Sequence, residues 1–369
     1  MLSGIRIIEV EGLGPGPFAA MLLADLGADV ITIHRKGQPA VPGMPEQSVL
    51  DRGKRSIDLN LKDTADLDIA RRLIASADAL IEGFRPGVME KLGLGPDTFN
   101  ASNPKLVYGR MTGWGQNSPL SETAGHDLNY ISLSGALWYA SAAGQPPQTP
   151  ATLVGDIGGG AMYLVAGILA GLLNAQRSGQ GTVVDAAIYD GSAHMMNLLM
   201  SMRQTGNLSE TRGQSLLDGP HWSRTYACLD GGFMSVQCLE PKFYAEFLQK
   251  LGLTNDTEFK NQYVPALWPK LTQRLTDLFA SKPRAHWADI FQGSDACVAP
   301  VLDPVEAQAH PMNAARHTWI DHDGALQAAA APRFSTETWQ PKTSPRRGEH
   351  RQDILDQLST NASPDPSPR

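Results

Sequence analysis

Cysteine is scarce in this 369-residue chain: Cys228, Cys238 and Cys297 are an odd count, and no two stand in a CxxC spacing. They read as buried thiols of a reducing compartment, not as a disulfide frame or a zinc site. A Walker phosphate loop, HExxH and GxSxG are all missing, which argues against P-loop, zincin and serine-hydrolase chemistry. No basic-then-apolar leader opens the chain, since Met1-Leu2-Ser3-Gly4 runs straight into a strand. Ser367-Pro368-Arg369 is not a peroxisomal address. The cytoplasm is the expected location. Charged residues make up only 19%, and the net charge of −7 argues against a nucleic-acid or anionic-membrane partner at the level of the whole surface. Ile157 to Ala175 carries no charge and is long enough to span a bilayer. Its five glycines (158, 159, 160, 167 and 171), the flanking Asp156 and the lack of an aromatic belt predict a buried central helix instead.

What is present is a chain 42% hydrophobic, long enough for a large core and two domains. Gly4–Val10 reads as a strand, Pro17–Leu26 as a helix opened by proline, and Ala28–His34 as a second strand. Further strands fit Ala79–Ile81 and Leu106–Arg110, with a helix over Thr64–Ala75. The pattern predicts a doubly wound α/β domain with a parallel sheet. The turn Gly12-Leu13-Gly14-Pro15-Gly16 is not GxGxxG, and the second strand ends at His34-Arg35-Lys36, not at an acid that could hold a ribose. A nicotinamide cofactor is therefore not expected. The texture changes after Gly191, and 224–239 reads as a hairpin that opens a small α/β unit. We expect a large domain over 1–186 and 317–369, linkers over 187–216 and 299–316, a small domain over 217–298, a short helix near Glu349–Leu358 and a disordered tail over 361–369.

Four features can carry chemistry. Between Arg35 and Lys62, six basic residues (35, 36, 52, 54, 55 and 62) face three acids (46, 51 and 58). With Arg85 after another strand, they suit either a phosphorylated ligand or an ordinary solvated face. His126 precedes an apolar helical run, where the positive helix end favours the neutral, basic imidazole. The backbone N–H of Asp127 there can meet an oxyanion; a structural histidine is the alternative. Asp156 precedes Gly158-Gly159-Gly160 and is either an N-cap or a group that a ligand approaches across bare backbone. Met195, Met196, Met200 and Met202 form either an adaptable apolar surface or plain core.

In order along the chain, Gly14-Pro15-Gly16-Pro17, Asp25–Val30, Arg85-Pro86-Gly87-Val88, Thr112–Gln116, Ala124–Tyr130 (AGHDLNY), Gly155–Gly160 (GDIGGG), Asp218-Gly219, Asp295-Ala296-Cys297 and Gly348-Glu349-His350 form a set of landmarks. The chain resembles the CaiB/BaiF, or class III CoA-transferase, superfamily over nearly its whole length, and within it the α-methylacyl-CoA racemases. The resemblance implies a large Rossmann-like domain, a smaller α/β domain and an interlocked homodimer. It implies an acyl-CoA substrate, with no cofactor beyond the CoA of that substrate and no metal. His126 and Asp156 would be the two bases flanking the α-carbon. Glu240 would orient the catalytic histidine of the partner subunit. Arg35, Leu59, Leu61, Lys62, Gly83, Phe84 and Arg85 correspond to CoA-contacting positions. Gly125, His126, Asp127, Leu128, Asn129 and Tyr130 would line the thioester site.

The chain departs from that pattern at Pro220-His221-Trp222-Ser223-Arg224, near the expected acyl pocket, and at His34-Arg35-Lys36. The expected activity is racemisation of a 2-methylacyl-CoA. The alternatives are CoA transfer, with Asp156 as the acylated carboxylate, and a catalytically silent CoA-binding protein.

Overall fold

A computed structural model describes residues 1–37 and 45–360; the tail over 361–369 lies outside the described residues. The chain divides into two compact units, one of Met1–Leu137, Thr149–Met195 and Arg316–Arg369, the other of Trp138–Gln148 and Met196–Ala315. Residues 138–148, placed in the large domain from sequence, belong to the second unit.

In the first unit, six strands form one parallel sheet: β1 (Arg6–Val10), β2 (Asp29–Arg35), β3 (Arg55–Leu59), β4 (Ala79–Glu82), β5 (Val107–Thr112) and β6 (Thr182–Ala187). Their spatial order is β3-β2-β1-β4-β5-β6. That is the doubly wound order, with its topological switch between β1 and β4. Alternation within the strands builds a core on each face. Ile7, Val30, Ile81 and Val107 point toward helix Pro15–Asp25 and the long helix 153–178. Ile8, Ile31, Ile57 and Leu80 point toward Thr64–Ala75 and Arg351–Thr360.

The expected elements over residues 4–34, 64–75, 79–81 and 106–110 are present within a few residues of their predicted ends. β3 and β6 were not expected. β3 (RSIDL) hides its signal behind charge, because Arg55 pairs with Asp29 across the sheet at 2.6 Å. β6 lies at the sheet edge, with four of its six residues exposed or half-buried, so it lacks the apolar run of a central strand.

Helix 153–178 opens as a π-helix over Leu153–Ala161, with Ile157 N–H donating to Thr152 O at 3.0 Å, and continues as an α-helix. It meets the length and hydropathy of a membrane span. Leu164, Ile168 and Leu172 on one side are buried against the sheet, whereas Met162 and Leu173 remain 46% and 52% exposed. The helix is thus buried on one face only.

The end of the chain completes the sheet. Gly53 N–H donates to Thr343 O at 3.0 Å, Gly348 N–H to Ser56 Oγ at 2.8 Å, and Arg351 pairs with Asp66 at 2.9 Å. Ile354 and Leu358 enter the core beneath β3.

The second unit holds an antiparallel sheet of β7 (Ser223–Ala227), β8 (Phe233–Gln237) and β9 (Val298–Val301), so the expected hairpin is present. Its core gathers Trp222, Phe247, Phe279 and Trp287, with Cys228 and Cys238 buried as expected; Cys297, in the turn before β9, is exposed instead.

Candidate active site

The carboxyl ends of β1 and β4 diverge at the switch point, where ligands of open α/β sheets bind. The turn after β1 carries Gly14, whose positive φ of 64° suits glycine. A Cβ placed there would stand 3.5 Å from Asp156 Oδ2, so the carboxylate faces this turn. Asp156 is half-buried in the first turn of the π segment. π segments are rare and recur at functional sites.

His126 is the N-cap of helix Asp127–Leu133 and is exposed. Its backbone is fixed from both sides: its N–H donates to Asn129 Oδ1 at 3.0 Å, and its carbonyl accepts from Asn129 N–H at 2.8 Å. The next N–H, that of Asp127, has no intrahelical partner by position. Tyr130, one turn on, donates its hydroxyl to Gly125 O and packs edge-on against Trp114 at 4.7 Å. Burial and the charge of Asp156 push the Tyr130 phenol up, and Arg85 opposes them.

Asp156 is the titratable centre. Burial first, and then the neighbouring charge of Asp127, push its carboxyl up to about 6, while His126 pulls it down. The predicted pair His126 and Asp156 is therefore brought within electrostatic reach, at two adjacent helix starts. Leu128 and Asn129 are exposed beside them, and Gly125 is half-buried.

The strand ends present the expected CoA positions unevenly. Arg35, Lys62, Gly83 and Arg85 are exposed, and Leu61 and Phe84 are half-buried. Leu59 is 1% exposed, with its side chain in the core, so only its backbone is available; its carbonyl accepts from Lys36 N–H at 3.1 Å. The basic excess of residues 35–62 is largely internal. Lys54 is buried against Glu9 at 2.7 Å, Arg52 against Asp25 at 2.5 Å, and Arg55 pairs with Asp29. Burial requires such partners, which leaves Arg35, Lys36 and Lys62 to face solvent.

Three sequence readings change. Gly159 and Gly160 are buried under helix Ile188–Met195, Pro15 and Met111, so these two glycines serve helix packing and not approach of a ligand, whereas Gly158 is half-buried. A Cβ on Gly191 would overlap Gly159 O. His221 and Trp222 are fully buried in the second unit: His221 Nε2 meets Tyr244 Oη at 2.7 Å, and Trp222 Nε1 donates to Gln262 O at 3.0 Å. The departing stretch is core, held by its own unit, and those two side chains line no acyl pocket. None of the four methionines is buried, and Met195 is 38% exposed, with its Sδ 3.3 Å from where a Cβ on Gly158 would lie. The first unit therefore presents apolar sulfur two residues from Asp156.

Sequence reasoning missed Glu82 at the end of β4. Its Oε2 accepts Phe84 N–H at 2.8 Å and so shapes the 83–85 loop. Burial pushes it up to about 7, against the backbone hydrogen bond and Arg110. An acid closing an apolar strand was the only signal. Glu11 was missed too. Burial opposes its ionisation, but hydrogen bonds from His34, Arg347 and the Arg35 backbone hold it at about 2.

Glu240 is exposed in the second unit, at the N-cap of helix Pro241–Lys250.

Comparison with known proteins places this geometry. The profile of CoA-transferase family III matches residues 2–351. The mouse (Mus musculus) alpha-methylacyl-CoA racemase is 41% identical over 96% of this chain and 92% of its own length. The human (Homo sapiens) one is 39% identical over 97% and 93%. Among solved structures, a CaiB/BaiF family protein from Brucella suis superposes with a TM-score of 0.81 at 25% identity, covering 96% of this chain and 98% of that one. By profile and by full-length relatives, the chain belongs to CoA-transferase family III.

Proposed function

We propose that the chain interconverts the (R) and (S) forms of a 2-methylacyl-CoA by removing the C2 proton and returning one to the opposite face. The observation that carries this reading is the pairing of His126 with a half-buried Asp156 whose carboxyl is pushed up to about 6. Inverting a carbon α to a thioester needs a base on one face, an acid on the other and stabilisation of the enolate between them. A carboxyl that titrates near neutrality serves in both roles, and His126 supplies the second group. Asp127 N–H supplies the donor for the enolate oxygen. The chemistry requires neither cofactor nor metal. The similarity to two proteins named alpha-methylacyl-CoA racemase supports the same reading.

Acetyl-CoA:oxalate CoA-transferase of Acetobacter aceti, 30% identical over 88% of this chain and 86% of its own length, keeps a second reading in view, in which Asp156 attacks the thioester carbonyl. That mechanism has no required place for His126. Incubation in D₂O with one enantiomer of a 2-methylacyl-CoA and no free acid separates the two. Racemisation puts deuterium at C2 and leaves the thioester whole, from either enantiomer. Acceptor-dependent CoA movement without C2 exchange would replace the racemase by the transferase.

CoA lies, in this reading, over the strand ends at Arg35, Lys62 and 83–85. Arg85→Ala and Lys62→Ala should each raise KM with kcat nearly unchanged, and the loss should shrink at high salt, where phosphate contacts are already screened. A fall in kcat at constant KM would move the CoA groove elsewhere. The functional unit in this reading is a homodimer, in which Glu240 of one subunit orients His126 of the other. The exposed Leu128, Leu133, Leu153, Met162 and Leu173 of the first unit support a covered face. The expected setting is the cytoplasm, with no nucleic-acid or membrane partner.

A further inference from the structure

The Asp127 side chain has no role in the scheme above, which uses only its backbone. Yet it is among the most constrained groups of the site. It is 7% exposed, and its Oδ1 accepts the backbone N–H of Asp156 at 2.8 Å. Its Oδ2 is buried and receives no hydrogen bond among the described residues. Room for it is cut into the facing helix: a Cβ on Gly155 would overlap Oδ1 and lie 2.8 Å from Ile131 Cγ2. A buried carboxylate with one bare oxygen costs stability. A purely structural acceptor for one N–H would be served as well by asparagine, without the charge.

We infer that the Asp127 carboxylate is a positioning residue for Asp156: it clamps the Asp156 backbone N–H and brings a second, buried carboxylate to the turn that carries the Asp156 side chain. The inference rests on the reading of Asp156 as an acid–base group and gives the second half of the His126-Asp127 pair a task. Neighbouring like charges disfavour joint ionisation, and the upward shift at Asp156, with burial its larger cause and Asp127 its second, agrees.

The other groups bearing on Asp156 are few. His126 acts from the head of the same helix and opposes Asp127. Tyr130 stands in its first turn, with Arg85 acting on it from the 83–85 loop. The turn at Gly14 brings no charge, since Glu11 before it is engaged by Arg347 at 2.7 Å. Helix Ile188–Met195 meets the glycine run through Ile188, Gly191 and Ser192, none of them charged.

The test compares Asp127→Asn with Asp127→Ala in the full chain. Asparagine keeps an oxygen for the Asp156 N–H and removes the charge; alanine removes both. Two readouts are taken: kcat/KM against pH for each enantiomer of a 2-methylacyl-CoA, and ¹³C-carboxyl NMR titration of Asp156, its resonance assigned by loss in Asp156→Asn. Asp127→Asn should move the Asp156 titration and the acid limb of the profile about one unit toward lower pH, roughly tenfold in proton affinity. It should not lower the thermal midpoint. Asp127→Ala should lose a further roughly tenfold in kcat as the clamp fails. An Asp156 titration unmoved in Asp127→Asn overturns the inference, whatever the activity. Wild-type protein without C2 exchange, but with an Asp156 resonance that moves in Asp127→Asn, upholds the coupling and fails the racemase reading.

Discussion

Asp156→Asn should lower turnover roughly 10²- to 10⁴-fold for both enantiomers of a 2-methylacyl-CoA, the usual contribution of one general acid or base. The amide fills the same space before Gly14 but can neither take nor give a proton. His126→Ala should cost a similar factor, because each direction of racemisation uses one group as base and the other as acid. Affinity for a CoA ester, measured by calorimetry, should survive both changes, since Arg35, Lys62 and the 83–85 loop, the residues assigned to CoA, are untouched. Turnover followed by chiral chromatography supplies the check, and near-full activity in either variant removes that residue from the mechanism. Asp156→Asn should also not weaken the fold. The carboxyl is pushed up to about 6 from an ordinary value of 3.8, so folding disfavours its ionised form. A raised carboxyl destabilises the native state progressively as pH rises from 3.8 through 6. Removing it should leave the thermal midpoint at pH 7 unchanged or higher.

Gly191→Ala is the change expected to cost most in stability. The new Cβ would overlap Gly159 O and stand 2.8 Å from Tyr163 Cδ2. A backbone carbonyl cannot swing aside as a side chain does, so helix Ile188–Met195 must lift from the π segment. Overpacking of this kind costs about 3 kcal/mol, the upper part of its usual range. Urea unfolding should show the midpoint fall with an unchanged slope, and activity should fall with it, since Asp156 sits on the displaced segment. A wild-type midpoint would mean that these two backbones are not in close contact.

Much of this was legible in the sequence, for identifiable reasons. β1, β2 and β4 are apolar runs bounded by helix signals, so the doubly wound sheet could be read from periodicity. β3 could not, because Arg55 and Asp58 give it the look of a loop until Asp29 and the returning chain end are seen to engage it. His126 and Asp156 were readable from the GHDLNY and GDIGGG segments. The charge of residues 35–62 misled, since sequence does not say that Arg52 and Lys54 point inward to Asp25 and Glu9. The same limit applies to Pro220–Arg224, which stood near the expected acyl pocket by resemblance and whose His221 and Trp222 are core. The Asp127 carboxylate escaped notice because the partner it has among the described residues is a backbone N–H 29 residues away.

The contacts of β3 with the end of the chain bear on how the protein is made. Ser56 and Gly348 are 292 residues apart, and a ribosome adding roughly 5–20 residues per second needs about 15 to 60 s to synthesise what lies between. Through that interval Ile57 and Leu59 lack Ile354 and Leu358, the residues that close their side of the core. Residues 196–315, with a core of their own, emerge meanwhile and can complete their fold first. The nascent first unit then has both faces of its sheet covered except beside β3, where an apolar gap stays open until helix Arg351–Thr360 is released.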